Sequence, residues 1–207
     1  LIPDSMLYLC RSLLSVTFLG QVTTIENHAL SRCDKLKTVQ LPESITTIDY
    51  RAFWHSYSLE TITFPSKVTE VRYGMFEYCT RLTSVTFLGR ITSIDYSAFE
   101  NCWSLKCFQI QDSVTSIGKK CFYRCNILQY VNYDGQKNPT FGDSIFNDTK
   151  VSFIHVGNEY IDDNFCGMPI VKNGDLPFLC PTNAFTQSMA FIMSDTFSKS
   201  REFSTSS

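Results

Sequence analysis

The chain has 207 residues, of which 43% are hydrophobic, so it is long enough to bury a core as one domain or one elongated array. Its formal net charge is −2, whereas proteins that grip phosphate backbones usually carry a basic surplus, so we expect no nucleic-acid partner. No apolar run approaches the roughly 18 residues of a membrane-spanning helix, and we predict no membrane span within this chain.

A regular repeat organises the first two-thirds of the chain. The stretch 84–102, "SVTFLGRITSIDYSAFENC", nearly copies one that begins at Ser15, 69 positions earlier, and 69 is three times 23. Leucine recurs with this step of 23, and so does cysteine, with Ser56 in the one missing place. The positions are Leu13, Leu36, Leu59, Leu82, Leu105 and Leu128, and Cys10, Cys33, Cys79, Cys102 and Cys125. Six in-register copies indicate a repeat architecture.

Each copy predicts the same three elements in chain order. The segment L-x-x-V-x-F alternates apolar and polar residues at its end, which predicts a strand, and V-T-x-I predicts a second short strand. The segment A-F-x-x-C predicts a helical or 3₁₀ turn at the corner. Residues one period apart then become neighbours about 4.8 Å apart in successive rungs. We therefore expect a right-handed leucine-rich-repeat β-solenoid of six to seven 23-residue rungs, with parallel strands on its concave face.

The unit resembles the BspA-like branch of leucine-rich repeats. The segments "LPESITTIDYRAF" (41–53), "AFENCWSL" (98–105) and "DSVTSIGKKCFYRC" (112–125) follow that pattern, and the match covers about 6–133. The segment "YIDDNFCGMPIVK" (160–172) also resembles the close of such arrays in flagellate mucosal parasites. This resemblance implies a cell-surface or secreted protein that adheres to host matrix, host cells or other microbes.

The domain boundaries follow from where the repeat weakens. We expect the array to cover 1–156, with the cysteine and leucine register running from 6 to 133 and a degenerate last unit at 134–156. A C-terminal cap is predicted over 157–180. Ser and Thr fill eleven of the positions from 181 to 207, which predicts a flexible tail or linker.

The outward strand positions are the first candidate binding site. They form a polar, nearly uncharged face, which favours a broad hydrogen-bonding contact with a protein or glycan ligand over a deep small-molecule pocket. The alternative is a solvated sheet face on which threonine occurs because it has a high β-propensity. The candidate ligand-binding residues are Thr17, Lys37, Thr38, Gln40, Glu60, Thr61, Thr63, Ser84, Thr86, Lys106, Gln109, Tyr130 and Asn132.

An aromatic patch is the alternative site. Tyr50, Tyr73 and Tyr96 form a column with the same step of 23, and Trp54 and Trp103 lie close to it in the unit. Tyrosine and tryptophan are enriched among interface anchors, although a periodic column can also pack along its own stack.

Cysteines outside the column, and one asparagine, carry further predictions. The column itself is expected to hold buried free thiols. Cys166 and Cys180 lie outside the repeat and are candidates for a disulfide, whereas Cys107 faces outward and is predicted to carry an accessible thiol. Asn147 begins the sequon N-D-T, a glycosylation acceptor if the chain is secreted.

We expect no enzymatic activity, cofactor or metal site. His28, His55 and His155 occupy different positions in the unit and form no cluster in the sequence. The expected function is recognition or adhesion at the cell surface or after secretion, through the repeat surface, with host matrix, host-cell or microbial ligands. The alternative is an intracellular leucine-rich repeat scaffold for protein–protein interaction, and the compartment distinguishes the two.

Overall fold

The computed structural model describes residues 1–172, along which a longer and a shorter series of strands alternate. The longer series comprises β1 (Ser15–Thr17), β3 (Thr38–Gln40), β5 (Thr61–Phe64), β7 (Ser84–Phe87), β9 (Cys107–Ile110), β11 (Tyr130–Tyr133), β13 (Ile154–Val156) and β14 (Ile170–Lys172). The shorter series comprises β2 (Thr24–Ile25), β4 (Thr47–Ile48), β6 (Glu70–Val71), β8 (Ser93–Ile94), β10 (Ser116–Ile117) and β12 (Thr140–Phe141).

All strand pairs of the described residues are parallel, and nearly all keep the predicted spacing. Ser15 lies opposite Thr38, and Thr61 lies opposite Ser84, which is a step of 23 in both cases. The larger sheets have the orders β14-β13-β11-β9 and β12-β10-β8-β6, so strands of each series stack on members of their own series. The predicted leucine-rich β-solenoid with parallel rungs is therefore confirmed.

The interior consists of vertical rows of identical or similar side chains. Leu59, Leu82 and Leu105 lie in one such row, and none of them has exposed surface. A second row consists of stacked phenylalanine rings whose neighbouring centroids are 5.3–5.7 Å apart: Phe53, Phe76, Phe99, Phe122 and Phe146. Because every rung presents the same apolar cross-section, each layer removes its neighbours from water.

The cysteine column is buried as predicted, and it also forms a ladder of hydrogen bonds. The Cys79 thiol donates to the backbone carbonyl of Phe53 at 3.1 Å, in the preceding rung. The same bond is made by Cys33, Cys102 and Cys125. The hydroxyl of Ser56 donates to the carbonyl of Leu30 at 2.9 Å. Ser56 therefore interrupts the cysteine column without interrupting its row of donors.

The A-F-x-x-C corner forms isolated turns and not the predicted helical or 3₁₀ turn. Two residues of each corner adopt the left-handed conformation, such as His28 (φ 54°) and Arg32 (φ 56°). Their N–H groups donate to the next rung, to the carbonyls of Tyr50 at 3.1 Å and Trp54 at 2.8 Å. A helix would direct these N–H groups to its own carbonyls, so the corner gives up helical geometry and gains bonds between rungs.

The two ends of the described array are closed to different degrees. Residues of the first rung, including Leu13, are only partly buried because they have a rung on one side alone. At the other end Phe165 is buried, and its ring lies 4.9 Å from that of Tyr133 and 4.8 Å from that of Phe141. The cap at 157–180 stays a prediction because 173–180 lie outside the described residues, as does the whole predicted tail at 181–207.

Candidate binding surfaces

The long strands bring the predicted ligand-binding residues onto one surface. Thr17 is opposite Gln40, Thr63 is opposite Thr86, and Gln109 is opposite Asn132 on neighbouring strands. We use the name strand face for these six residues together with Lys37, Thr38, Glu60, Thr61, Ser84, Lys106 and Tyr130. Most of them are exposed; Ser84, Lys106 and Tyr130 are half-buried, and Asn132 is buried.

The threonine hydroxyls of the strand face are available to a ligand. Thr63 and Thr86 are exposed, and within residues 1–172 their hydroxyls make no hydrogen bond. The threonines in or beside the short strands differ, because their hydroxyls donate to a carbonyl of the preceding rung at 3.1–3.2 Å: Thr46, Thr92, Thr115 and Thr140. Threonine hydroxyls therefore stabilise the fold at the short strands, whereas the hydroxyls of Thr63 and Thr86 on the strand face remain available for hydrogen bonds to a ligand.

The strand face changes character at β9 and β11. The prediction of an accessible thiol at Cys107 is wrong, because this residue is 5% exposed and its sulfur is in a disulfide bond. The amide of Asn132 donates to the side-chain oxygen of Gln109 at 2.9 Å and to a carboxylate oxygen of Asp134 at 3.0 Å. The more open region of the strand face therefore lies on β1, β3, β5 and β7.

In the aromatic patch, Tyr73 and Tyr96 contact each other, whereas Trp103 and Trp54 contact residues outside the patch. The rings of Tyr73 and Tyr96 stack with centroids 5.2 Å apart, and the Arg51 guanidinium lies 4.6 Å from the Tyr73 ring. Trp103 is 48% exposed, and its indole N–H donates to the side-chain oxygen of Asn101 at 3.4 Å. Much of this aromatic surface therefore stabilises the corner, while the rings of Tyr50, Tyr96 and Trp103 remain exposed.

Trp54 of the aromatic patch is flanked by two cations. The guanidinium groups of Arg32 and Arg51 lie 5.1 and 5.4 Å from its ring, and the imidazole of His55 lies 4.0 Å from it. Burial, together with these two arginines and against the opposing effect of Asp34, lowers the pKa of His55 to about 4. His55 is therefore neutral at pH 7, and its ring packs as an aromatic group.

The thiols of the column are poorly suited to nucleophilic or metal chemistry. Burial raises the pKa of Cys33 to about 12, and it raises the pKa of Cys79 and of Cys121, which lies outside the column, well above the ordinary value, so these thiols are protonated at pH 7. Residues 1–172 contain no group of three or more His, Cys, Asp or Glu side chains arranged to hold a metal ion. The described residues also include no helix that is long and apolar enough to cross a bilayer.

Two predicted modification sites have different outcomes. Cys166 is a free cysteine, so the predicted pairing with Cys180 is not formed; Cys180 itself lies outside the described residues. Asn147 is exposed in the last corner, where the Thr149 hydroxyl of the sequon donates to the carbonyl of Phe146 at 2.7 Å. Glycosylation of Asn147 stays a prediction.

A groove beside the loop 134–139 was missed by the sequence reasoning. It has a volume of about 610 Å³ and is lined by residues of this loop together with Asp112, Thr115 and Ile161. The signal that could have found it is a change of step, since Ser116 lies opposite Thr140, a step of 24 instead of 23.

Several solved bacterial structures have the same fold. A leucine rich cell surface protein from Faecalibacterium prausnitzii A2-165 is 24% identical with a TM-score of 0.61, over 76% of this chain and 52% of that one. A leucine-rich repeat protein from Bacteroides ovatus ATCC 8483 is 20% identical with a TM-score of 0.54, over 71% and 52%. The T. pallidum leucine rich repeat protein is 23% identical with a TM-score of 0.58, over 65% and 76%. This chain thus spans about half the length of the first two, and the likeness shows the fold alone.

The family match rests on the repeats themselves. A comparison with functionally curated proteins finds no significant relative. Six copies of the family described as BspA type leucine rich repeat region match the chain, over residues 1–129 and 61–165. These ranges include the rungs with the regular register and the buried leucine row. The chain therefore belongs to the BspA-type leucine-rich repeat family.

Proposed function

We propose that this chain is a non-enzymatic recognition protein of the cell surface or the secreted fraction. Its strand face adheres to protein or glycan ligands of a host matrix, host cells or other microbes. The observation that carries this proposal is the set of exposed hydroxyl and amide groups on Gln40, Thr63 and Thr86. None of the described residues forms a hydrogen bond to these side-chain groups. Such groups on an extended sheet can form many hydrogen bonds to a broad ligand.

Two observations support a compartment outside the cytosol. The disulfide at Cys107 favours an oxidising environment, because disulfides are rare where glutathione keeps thiols reduced. The exposed sequon at Asn147 is accessible to glycosylation during secretion. Among the fold relatives, the protein from Faecalibacterium prausnitzii is described as a cell surface protein.

The intracellular scaffold is the second candidate, and the free thiols favour it. Seven of the described cysteines are free, which suits a reducing compartment, although five of them are buried and protected in any compartment. The surface and scaffold hypotheses can be distinguished with protein purified from its native source. Glycan on Asn147 and a leader in the full-length reading frame favour the surface, whereas a leaderless protein with every thiol reduced favours the scaffold.

The strand-face proposal is tested with the 207-residue chain and matched arginine variants. We expect saturable binding to one or more immobilised matrix proteins, host cells or arrayed glycans. Thr63→Arg and Thr86→Arg should each weaken it about tenfold or more, because a long charged side chain replaces a small hydroxyl at the contact. Thr69→Arg is the control, since Thr69 is exposed beside the short strands. No saturable binding, or Thr63→Arg and Thr86→Arg indistinguishable from wild type, contradicts the proposal.

A further inference from the structure

The groove lies where the repeat is interrupted. Asn132 on β11 still lies opposite His155, a step of 23, but the short-strand step from Ser116 to Thr140 is 24. The extra residue therefore belongs to the loop 134–139, between β11 and β12. Insertions in solenoid repeats appear as loops on one face, which is often the face that binds.

The loop is held rigidly on both sides. The hydroxyl of Tyr133 donates to the carbonyl of Lys137 at 2.7 Å, and a Cβ atom on Gly135 would lie 2.1 Å from that hydroxyl, so only glycine fits there. The backbone N–H of Asn138 donates to a carboxylate oxygen of Asp162 at 2.6 Å. The groove is therefore preformed, and a ligand does not have to order it.

The groove combines carboxylates with an exposed apolar side chain. Asp112 and Asp134 both line it, and Asp112 also pairs with Arg90 at 3.1 Å. Partial burial raises the pKa of Asp134, hydrogen bonds from Gln109 and Asn132 oppose this, and the charge of Asp112 raises it again. A nearby cation would offset both the desolvation and the repulsion between the two carboxylates.

The groove also has an exposed apolar side chain. Val114, Pro139 and Ile161 lie along the groove; Val114 and Pro139 are buried, whereas Ile161 is 74% exposed. A lysine or arginine side chain can lay its methylene stem on Ile161 and place its charge at the carboxylates. Tyr133 is the aromatic residue of the lining and is only 3% exposed, so the groove offers no open ring face for stacking a sugar. The volume of about 610 Å³ exceeds that of one side chain.

We propose that this groove is a second binding site, which takes an extended segment of a partner protein through a basic side chain placed between Asp112 and Asp134. The loop residue Lys137 is a competing cation at the same groove, and it weakens the contact. Binding to the groove can be measured separately from ligand binding on the strand face.

The test uses short capped peptides that are identical except for one central residue, which is Arg, Lys, Gln or Glu. Their binding to the ¹⁵N-labelled 207-residue chain is followed by NMR. We expect the Arg and Lys peptides to shift the amide signals of Thr115 and Gly135 in a saturable way, and the Gln and Glu peptides to leave them unchanged. Asp134→Asn should weaken the Arg peptide about three- to tenfold, and Lys137→Gln should strengthen it about twofold or more. Asp143→Asn, an exposed carboxylate outside the lining, is the matched control.

The outcomes separate the two proposals. Equal shifts with all four peptides, no shift with any peptide, or an unchanged affinity in both Asp134→Asn and Lys137→Gln overturn the groove proposal. If Asp134→Asn fails to fold, the opposite change expected from Lys137→Gln decides the question alone. Thr63→Arg should leave the peptide shifts unchanged, so failure of the strand-face proposal does not carry over to the groove.

Discussion

Ser56 provides a sharp test of how one rung is joined to the next. This residue has no exposed surface, and its hydroxyl donates to the Leu30 carbonyl at 2.9 Å. Ser56→Ala removes the donor and leaves a buried carbonyl short of a partner, so we expect a loss of about 1–3 kcal/mol in the free energy of unfolding. Ser56→Cys restores the residue found elsewhere in the column, where the Cys79 thiol makes the same bond at 3.1 Å. We expect this variant to lie within about 1 kcal/mol of wild type.

The assay is urea unfolding of the 207-residue chain at pH 7 without a reducing agent, monitored by circular dichroism. Ser58→Ala is the control, since Ser58 is half-buried and makes no hydrogen bond within the described residues; we expect a change below about 0.5 kcal/mol. The reasoning is refuted if Ser56→Ala is as stable as wild type, or if Ser56→Cys is less stable than Ser56→Ala. Either result would mean that the column needs only a small side chain and that the donor contributes nothing.

Three further predictions concern stability. Leu82→Ala should lower the free energy of unfolding by about 2–5 kcal/mol, and Leu13→Ala should lower it by clearly less. The reason is that Leu82 is fully buried, whereas Leu13 is partly exposed in the first rung. Equal losses of the two variants in chemical denaturation would contradict this prediction. Ser144→Gly should raise the free energy of unfolding by up to about 1 kcal/mol, because Ser144 has a φ of 59°, while Ser144→Ala should give no gain in thermal unfolding. The pKa of His55 falls from 6.5 to about 4 on folding, so the unfolded chain binds the proton more tightly, and stability should decrease as the pH falls from about 6.5 towards 4. His55→Phe should remove this contribution to the pH dependence, and an unchanged dependence of the urea midpoint would refute the assignment.

Much of the fold was predictable because stacking turns sequence spacing into spatial contact. Leu59, Leu82 and Leu105 share an interior row for the simple reason that parallel rungs of equal length superimpose residues one period apart. The geometry of the corner was not predictable in the same way. Its left-handed positions are filled in most rungs by residues that disfavour positive φ, such as Arg51, Tyr78 and Lys120. Gly74 and Asn101 occupy such positions in single rungs, so the signal usually given by glycine or asparagine does not recur with the repeat.

The candidate sites were predictable only where they repeat. The columns that include Thr63 and Thr86 could be assigned to one face because their outward direction follows from strand alternation. The groove depends on Asp134 and Ile161, which have no counterpart at the same step in other rungs, so periodicity carries no information about them. The state of Cys107 was mispredicted for a related reason: its column position gives the direction of the side chain but not its covalent partner.

A ligand that bound the strand face alone would be poorly fixed along the coil. Moving it by one rung, about 4.8 Å, replaces Thr63 by Thr86 and exchanges one set of hydroxyl contacts for a similar one. A defined position therefore requires a feature that occurs once along the array. The groove is such a feature, and Asp134 in its lining is hydrogen-bonded to Asn132 at the edge of the strand face. A ligand that contacted both surfaces would gain area from the repeated rungs and a single register from the interruption. We therefore expect two effects of Asp134→Asn. The ligand should occupy more positions along the coil, and its total affinity should fall only slightly.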